Sequence, residues 1–145
     1  MSRPIQFYSF SAAETRACGK ILGKKITHGG VLALAGPLGG GKTTFVQGLA
    51  SALRLRRKIV SPTFVKLTSY AIPNSGHRFY HLDLYHLRRR SELDELGVSE
   101  ILKNTQDIII IEWPEKIKPL LPARTHWIHF AYDPRNPKSR LIKIL

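Results

Sequence analysis

The chain has 145 residues, 43% of them apolar and 23% charged, which fits one domain over residues 1–145 and excludes wholesale disorder. Lys and Arg outnumber Asp and Glu by 23 to 10, and the resulting net charge of +13 favours a polyanionic partner such as nucleic acid. The lone cysteine, Cys18, excludes an intrachain disulfide, and without an apolar leader or a membrane-length apolar run the sequence predicts a cytoplasmic protein with no membrane segment.

The first predicted element is a helix in "SFSAAETRACGKILGKKI", residues 9–26. Ser11 and Glu14 have the spacing of a capping box, and apolar residues then recur at helical intervals. The turn chemistry of "THGG" ends the helix. Cys18 lies in this amphipathic pattern, so we interpret it as a small core residue rather than a catalytic thiol.

A buried strand and a second helix are predicted next. "VLALAG", residues 31–36, is apolar without alternation, as expected of a strand covered on both faces of a sheet. "KTTFVQGLASALRL", residues 42–55, repeats apolar side chains every four residues and is predicted to be a helix that packs back on the sheet.

The glycine-rich stretch between them, "GPLGGGKT", fits the P-loop pattern G-x-x-x-x-G-K-[ST]. Glycines let successive backbone N–H groups point at one anion, and the following helix adds its positive dipole end. Lys42 is predicted to contact the β and γ phosphates, and Thr43 to bind Mg²⁺. Because the guanine-reading [NT]-K-x-D element is absent, ATP is favoured over GTP. The nucleotide-binding residues predicted in this stretch are Pro37, Leu38, Gly39, Gly40, Gly41, Lys42, Thr43 and Thr44.

The remaining elements complete an α/β domain. Two strands joined by the turn "PNSG" predict an antiparallel hairpin, a short helix starts at a capping Ser91, and "IIII" marks another buried strand. We expect a P-loop NTPase-like fold with a mixed, mostly parallel sheet flanked by helices. The predicted ranges are strands 61–72, 77–87, 107–113, 125–132 and 139–145, and helix 91–97.

Two acids at strand ends are candidates for the Mg²⁺ and water sites of an ATPase. Asp83 lies in "FYHLDLY", and Glu112 follows four isoleucines. Ligands in open α/β sheets bind beyond the carboxyl ends of the strands, so Glu112 is well placed if its strand runs parallel to "VLALA". The alternative for both is an ordinary strand-end carboxylate. Thr63 of "SPTF" is either a γ-phosphate sensor or an ordinary strand threonine. The Trp113 ring has three possible places: stacked near the nucleotide, at a partner surface, or packed within the fold.

Taken in this order, "GPLGGGKTTF", "SPTF", "HLDLYHL" and "IEWPE" resemble the TsaE family, the bacterial P-loop ATPases needed to make threonylcarbamoyladenosine in tRNA. The resemblance covers nearly the whole chain. It implies ATP and Mg²⁺ as cofactors, weak hydrolysis by the protein itself, and action with the TsaB–TsaD complex, which transfers the threonylcarbamoyl group to the adenosine beside the anticodon.

The resemblance also implies roles for individual residues. It implies that Lys42 contacts the phosphates, that Thr43 binds Mg²⁺ and that Thr63 faces the phosphate side of the nucleotide. Asp83 and Glu112 would serve Mg²⁺ and the hydrolytic water, and Trp113 would lie beside the nucleotide. Two positions depart from the family: His86 stands where Arg is frequent after "DLY", and Gly40 where Ala is common.

Two basic runs, "RLRRK" at 54–58 and "RRR" at 88–90, face tRNA phosphates or an acidic partner in one interpretation and solvent in the other. His77, His81 and His86 lack a metal-binding pattern and are interpreted as ordinary strand or surface histidines. Two other functions stay open: a small-molecule P-loop kinase, and a nucleic-acid-binding module in which the P-loop is secondary.

Overall fold

Seven strands form one mixed sheet in a computed structural model that describes residues 3–26, 28–56, 59 and 66–145. Their order in the sheet is β1-β7-β6-β2-β5-β4-β3. Strands β6, β2, β5 and β4 are mutually parallel, and the pairings of the outer strands give five strands running in one direction. This confirms the predicted mixed, mostly parallel sheet. The strands are β1 (Ile5–Ser9), β2 (Gly30–Ala35), β3 (Lys66–Ala71), β4 (Arg78–Asp83), β5 (Ile108–Glu112), β6 (His126–Asp133) and β7 (Asn136–Ile144).

Helices lie on both faces of the sheet. They are α1 (Ala12–Lys25), α2 (Lys42–Ala52), α3 (Ser91–Leu96), α4 (Val98–Lys103) and a 3₁₀ segment (Pro114–Leu120). The capping box predicted for α1 is present: the Glu14 N–H donates to Ser11 Oγ at 3.1 Å. The Glu14 carboxylate reaches one residue further back than the motif requires and accepts from the Phe10 N–H at 2.8 Å.

The strands β2 and β5 are buried on both faces, as their uninterrupted apolar sequences predict. On one face, Leu32 and Leu34 join Ile108 and Ile110 in a cluster that α1 and α2 cover. On the other, Val31 packs with the remaining β5 isoleucines under α3, α4 and the 3₁₀ segment. Alternate side chains of one strand thus serve two separate cores, which is why the pattern shows no polar alternation.

The helices α1 and α2 cross at very short range because glycines form the contact. A Cβ atom at Gly48 would collide with the carbonyl oxygen of Arg16, and one at Gly19 would collide with the carbonyl oxygen of Phe45. The half-buried Cys18 packs against the core beside this crossing. The crossing places α1 directly over the helix that follows the glycine loop.

The "PNSG" hairpin is confirmed, with β3 antiparallel to β4. Three details differ from the sequence predictions. The predicted strand 77–87 ends at Asp83. The N-cap of helix α3 is Arg90 rather than the predicted Ser91, and no side chain caps the helix. The sequence did not predict β1, α4 or the 3₁₀ segment. No helix within the described ranges is long and apolar enough to cross a membrane.

Candidate functional site

The glycine loop connects the end of β2 to the start of α2. Gly39 and Gly41 have φ values of 74° and 95°, in the left-handed region that glycine adopts without a steric penalty. Gly41 is the N-cap of α2, and its carbonyl accepts from the Phe45 N–H at 2.9 Å, so the helix begins directly at Lys42. The first N–H groups of α2 therefore point into the concavity of the loop.

A cavity of 350 Å³ opens above this loop. It brings together every predicted site residue except two. Pro37 lies in the loop itself, where its carbonyl accepts from the Gly40 N–H at 3.0 Å. Thr63, with the whole "SPTF" segment, lies outside the described residues. The lining residues are Leu38, Gly39, Gly40, Gly41, Lys42, Thr43, Thr44, Asp83, Tyr85, Glu112 and Trp113.

The two acids reach the cavity because their strands run parallel to β2. Register pairs Glu112 with Leu34 on one side and with Asp83 on the other. Both carboxylates thus lie at the carboxyl edge of the sheet, beside the glycine loop, and both residues are buried. The Thr43 hydroxyl donates to Glu112 Oε1 at 3.4 Å. One hydroxyl and two carboxylates form a set of hard oxygen donors of the kind that Mg²⁺ prefers.

Burial shifts the pKa values of two charged groups in this cavity. It raises the pKa of Asp83, and the nearby negative charge of Glu112 raises it further, while the hydrogen bond from the Tyr85 N–H at 2.9 Å opposes the shift. Burial also lowers the pKa of Lys42, and the acids around it act in the opposite direction. A cation and two carboxylates are therefore held at one site against the cost of desolvation.

The Lys42 ammonium group contacts the loop and one aromatic ring. Its Nζ donates to the Gly36 carbonyl at 2.5 Å and to the Pro37 carbonyl at 3.3 Å. The same atom lies 3.9 Å from the centre of the Trp113 ring, a cation–π contact. Two backbone carbonyl oxygens and one aromatic ring thus hold the ammonium group at the glycine loop.

Trp113 borders the cavity in a backbone conformation that is unusual for a tryptophan. Its φ and ψ are 60° and 47°, in the left-handed region, and the 3₁₀ segment begins immediately after it. Its ring contacts Tyr85 at 5.1 Å between centres. Tyr85 is 44% exposed and its carbonyl accepts from Lys116 Nζ at 2.6 Å. The sequence did not single out Tyr85, although it lies in the quoted "HLDLY".

His81 is the main residue that sequence reasoning missed. It is fully buried, and its Nε2 lies 2.6 Å from Glu112 Oε2. Its Nδ1 is buried and has no hydrogen-bond partner in the described part of the chain. His81 lies on strand β4, as predicted, and no group of residues that could hold a metal ion is found in the described part of the chain, but its direct contact with a cavity carboxylate was not predicted. The available signal was its position two residues before Asp83, on the same side of β4.

A family model described as "Threonylcarbamoyl adenosine biosynthesis protein TsaE" matches residues 9–142. Two relatives carry the name "tRNA threonylcarbamoyladenosine biosynthesis protein TsaE". The one from Treponema pallidum is 36% identical over 117 residues, covering 81% of this chain and 84% of its own length. The one from Bacillus subtilis is 35% identical over 121 residues, covering 83% and 73%.

A solved structure has the same fold. It is titled "Crystal structure of Bacillus subtilus YdiB" and superimposes with a TM-score of 0.72 at 28% sequence identity. The match covers 99% of this chain and 86% of that one.

Proposed function

The chain belongs to the TsaE family of tRNA threonylcarbamoyladenosine biosynthesis, and we propose that it serves this pathway as an ATPase that supports the TsaB–TsaD complex. The observation that carries the proposal is the convergence, in one cavity, of the glycine loop, Lys42, Thr43 and two strand-end carboxylates. Each part matches a requirement of phosphoryl transfer, which depends on positioning and on charge stabilisation.

Phosphate binding rests on the loop and on Lys42. The backbone N–H groups at the start of α2 form an anion site, and the helix dipole adds to it. The contacts of Lys42 Nζ with two carbonyls and one ring all involve uncharged partners, whereas a triphosphate offers formal negative charges to the same ammonium group. The ammonium group therefore exchanges these contacts for the β and γ phosphates.

The oxygen donors fit Mg²⁺. Thr43, Asp83 and Glu112 are the residues that would hold it, directly or through water. Bound Mg²⁺ supplies charge neutralisation on the phosphate oxygens. Glu112, fixed by Thr43 and His81, orients the attacking water. Thr63 is assigned to the phosphate side by its motif alone, and Trp113 borders the nucleotide.

Thermal unfolding with ATP·Mg²⁺ tests nucleotide binding. At a hundredfold excess over Kd, the ligand stabilises the fold by about 2.7 kcal/mol, equivalent to a rise in Tm of about 5–10 °C. We expect Lys42→Ala to abolish the rise. A rise that survived this change would remove the glycine loop from its proposed role.

Hydrolysis assays test the rest of the proposal. We expect a low ATPase rate that increases when TsaB, TsaD and tRNA are added, and Glu112→Gln to retain the thermal shift while losing turnover. A rate unaffected by the complex would contradict the partnership with TsaB–TsaD. Transfer of the γ-phosphoryl group to a small molecule would instead establish the kinase alternative.

A further inference from the structure

One half of a sheet face is left without a covering layer in the described part of the chain. The elements α3, α4 and the 3₁₀ segment cover β4, β5 and β2 on that face. Beyond β2 the face continues over β6, β7 and β1, since register aligns Trp127 with Ala33 of the covered side. We call this surface the open face. Its residues are Gln6, Tyr8, Trp127, His129, Ala131, Leu141 and Lys143.

The strand pairings arrange these residues in rows across three strands. His129 pairs with Lys143, which pairs with Gln6 in turn. The next row consists of Ala131, Leu141 and Tyr8. Gln6, Tyr8, His129 and Ala131 are exposed, and the others are half-buried. The side chains between them on β6, such as Ile128 and Phe130, point into the opposite core, so this is one continuous surface.

The aromatic rings of the open face are bordered by cations. The Trp127 and His129 rings are stacked, with centres 6.1 Å apart and planes inclined by 23°. Lys118 Nζ lies 5.7 Å from the centre of the Trp127 ring. At the other side of the face, the Arg135 guanidinium lies 5.5 Å from the ring of Tyr8, which is 46% exposed.

Of the three cations at this surface, Arg135 is ion-paired with Asp133 at 3.1 Å, and no ion pair of Lys118 or Lys143 is found in the described part of the chain. None of the seven open-face residues is acidic. The nearest acid in sequence, Asp133, is buried, and its oxygens accept hydrogen bonds from Arg135 and Ser139. Flat rings bordered by ammonium and guanidinium groups form the arrangement that binds single-stranded nucleic acid, because bases stack on the rings while phosphates meet the cations.

We infer that the open face binds a single-stranded stretch of RNA. Bases stack on Tyr8 and on the Trp127–His129 pair, and phosphates contact Lys118, Lys143 and Arg135. An acidic protein surface would also match the cations, but every base of a single strand offers a flat face to these rings, so the chemistry favours RNA. The inference deepens the proposed function, on which it rests for its choice of RNA, by naming how tRNA would touch this chain.

Fluorescence anisotropy with a labelled, unmodified anticodon stem–loop at low salt tests the inference. Tyr8→Leu removes the ring, and we expect it to weaken binding about fivefold or more, the lower bound for loss of one stacked base. Tyr8→Phe keeps the ring and should bind within about twofold of the unaltered protein. Lys143→Gln should weaken binding and lower the slope of log K against log salt by about one.

Lys20→Gln is the matched control, because Lys20 is an exposed cation on α1, which lies on the other side of the sheet. It should leave RNA affinity within about twofold. Absence of RNA binding would overturn the inference, as would equal losses in Lys20→Gln and Lys143→Gln. Unchanged RNA affinity in Tyr8→Leu, together with loss of TsaB–TsaD binding, would assign the face to protein instead.

Failure of this inference is distinguishable from failure of the proposed function. Tyr8 and Lys143 do not line the nucleotide cavity, so both variants should retain the ATP-induced rise in Tm. That measurement also shows that the variants are folded. A protein that binds RNA through this face but shows no thermal response to ATP would support the inference and contradict the ATPase proposal.

Discussion

Glu112 is fixed from two directions, and each contact comes from a different part of the fold. Thr43 Oγ1 approaches one carboxylate oxygen at 3.4 Å, and His81 Nε2 approaches the other at 2.6 Å. A buried carboxylate without partners is costly, so these contacts fix both its position and its orientation. His81 is therefore a positioning residue for Glu112, the acid that we propose to orient water.

We expect His81→Ala to lower kcat for ATP about 10- to 100-fold, the usual loss when a residue that orients a metal ligand or site acid is removed. KM should change less, because this substitution leaves the loop and Lys42, the proposed phosphate-binding groups, unaltered. His81→Gln retains a side-chain donor and should recover part of the rate. Steady-state ATPase assays, paired with the ATP-induced rise in Tm, measure both quantities. Equal kcat in the Ala variant and the unaltered protein would show that Glu112 needs no support from His81.

The ionised Asp83 carboxylate lowers the stability of the fold by an amount that depends on pH. Burial raises its pKa in the folded state above the ordinary value of 3.8, so folding takes up a proton between the two pKa values. Stability contributed by this group therefore falls as pH rises through that window, and the full penalty is present above the folded pKa. Asp83→Asn removes the charge and keeps an oxygen for the Tyr85 N–H.

The expected result is a free energy of unfolding at pH 7 that is higher in Asp83→Asn by about 0.5–2 kcal/mol, the usual gain from relieving a destabilising site residue. The difference should shrink as pH is lowered towards the raised pKa of Asp83, where Asp83 itself is increasingly protonated. Urea unfolding in buffer with EDTA and without nucleotide measures it. A variant less stable at pH 7 would mean that the ionised carboxylate stabilises the fold.

At the scale of elements, the β2–loop–α2 unit was predictable because its signals are local. An apolar run without alternation, a glycine motif and a four-residue apolar repeat each specify one element. The strand β1 (Ile5–Ser9) was missed because it is a short edge strand whose residues are mostly exposed. The sequence places His81 on the same side of β4 as Asp83, but it does not reveal the contact with Glu112, because that contact depends on the register between β4 and β5.

The crossing of α1 and α2 gives a sharp test of packing. In Gly48→Ala, the gain in helix propensity of about 1 kcal/mol opposes a collision with the Arg16 carbonyl. Backbone cannot move aside as a side chain can, so the cost should lie at the upper end of the overpacking range, at about 3 kcal/mol. We therefore expect a net loss of about 2 kcal/mol and a fall in Tm of about 4–8 °C by calorimetry.

Ser51→Ala is the control for this substitution: Ser51 is exposed on the same helix, and its change to alanine removes only the hydroxyl that donates to the Gly48 carbonyl at 2.7 Å, adding no atom at the helix crossing. It should change the free energy of unfolding by no more than about 0.5 kcal/mol. If Gly48→Ala melted at or above the temperature of the unaltered protein, the two helices would not need the glycine contact.

Across the whole molecule, the acids and the cations are concentrated in different parts of the chain. Residues 83–115 contain eight of the ten acids and only four cations, so this part of the chain is net negative. It comprises α3, α4, β5 and the site acids. The remainder carries nineteen of the 23 cations and two acids. The excess of positive charge therefore lies outside the α3–α4 region, and β1, β6 and β7 belong to the basic part.

This imbalance predicts how salt affects folding. Like charges repel in the compact state and destabilise it, and screening shortens their range to about 10 Å at 0.1 M salt. Raising NaCl from about 20 to about 200 mM should therefore increase Tm by a few degrees. Replacing three exposed cations outside the cavity with glutamine, in Lys20→Gln, Arg56→Gln and Lys138→Gln combined, lowers the repulsion and should flatten this rise. A Tm that falls with NaCl in the unaltered protein would mean that attractive pairs between the acidic and basic regions outweigh the repulsion.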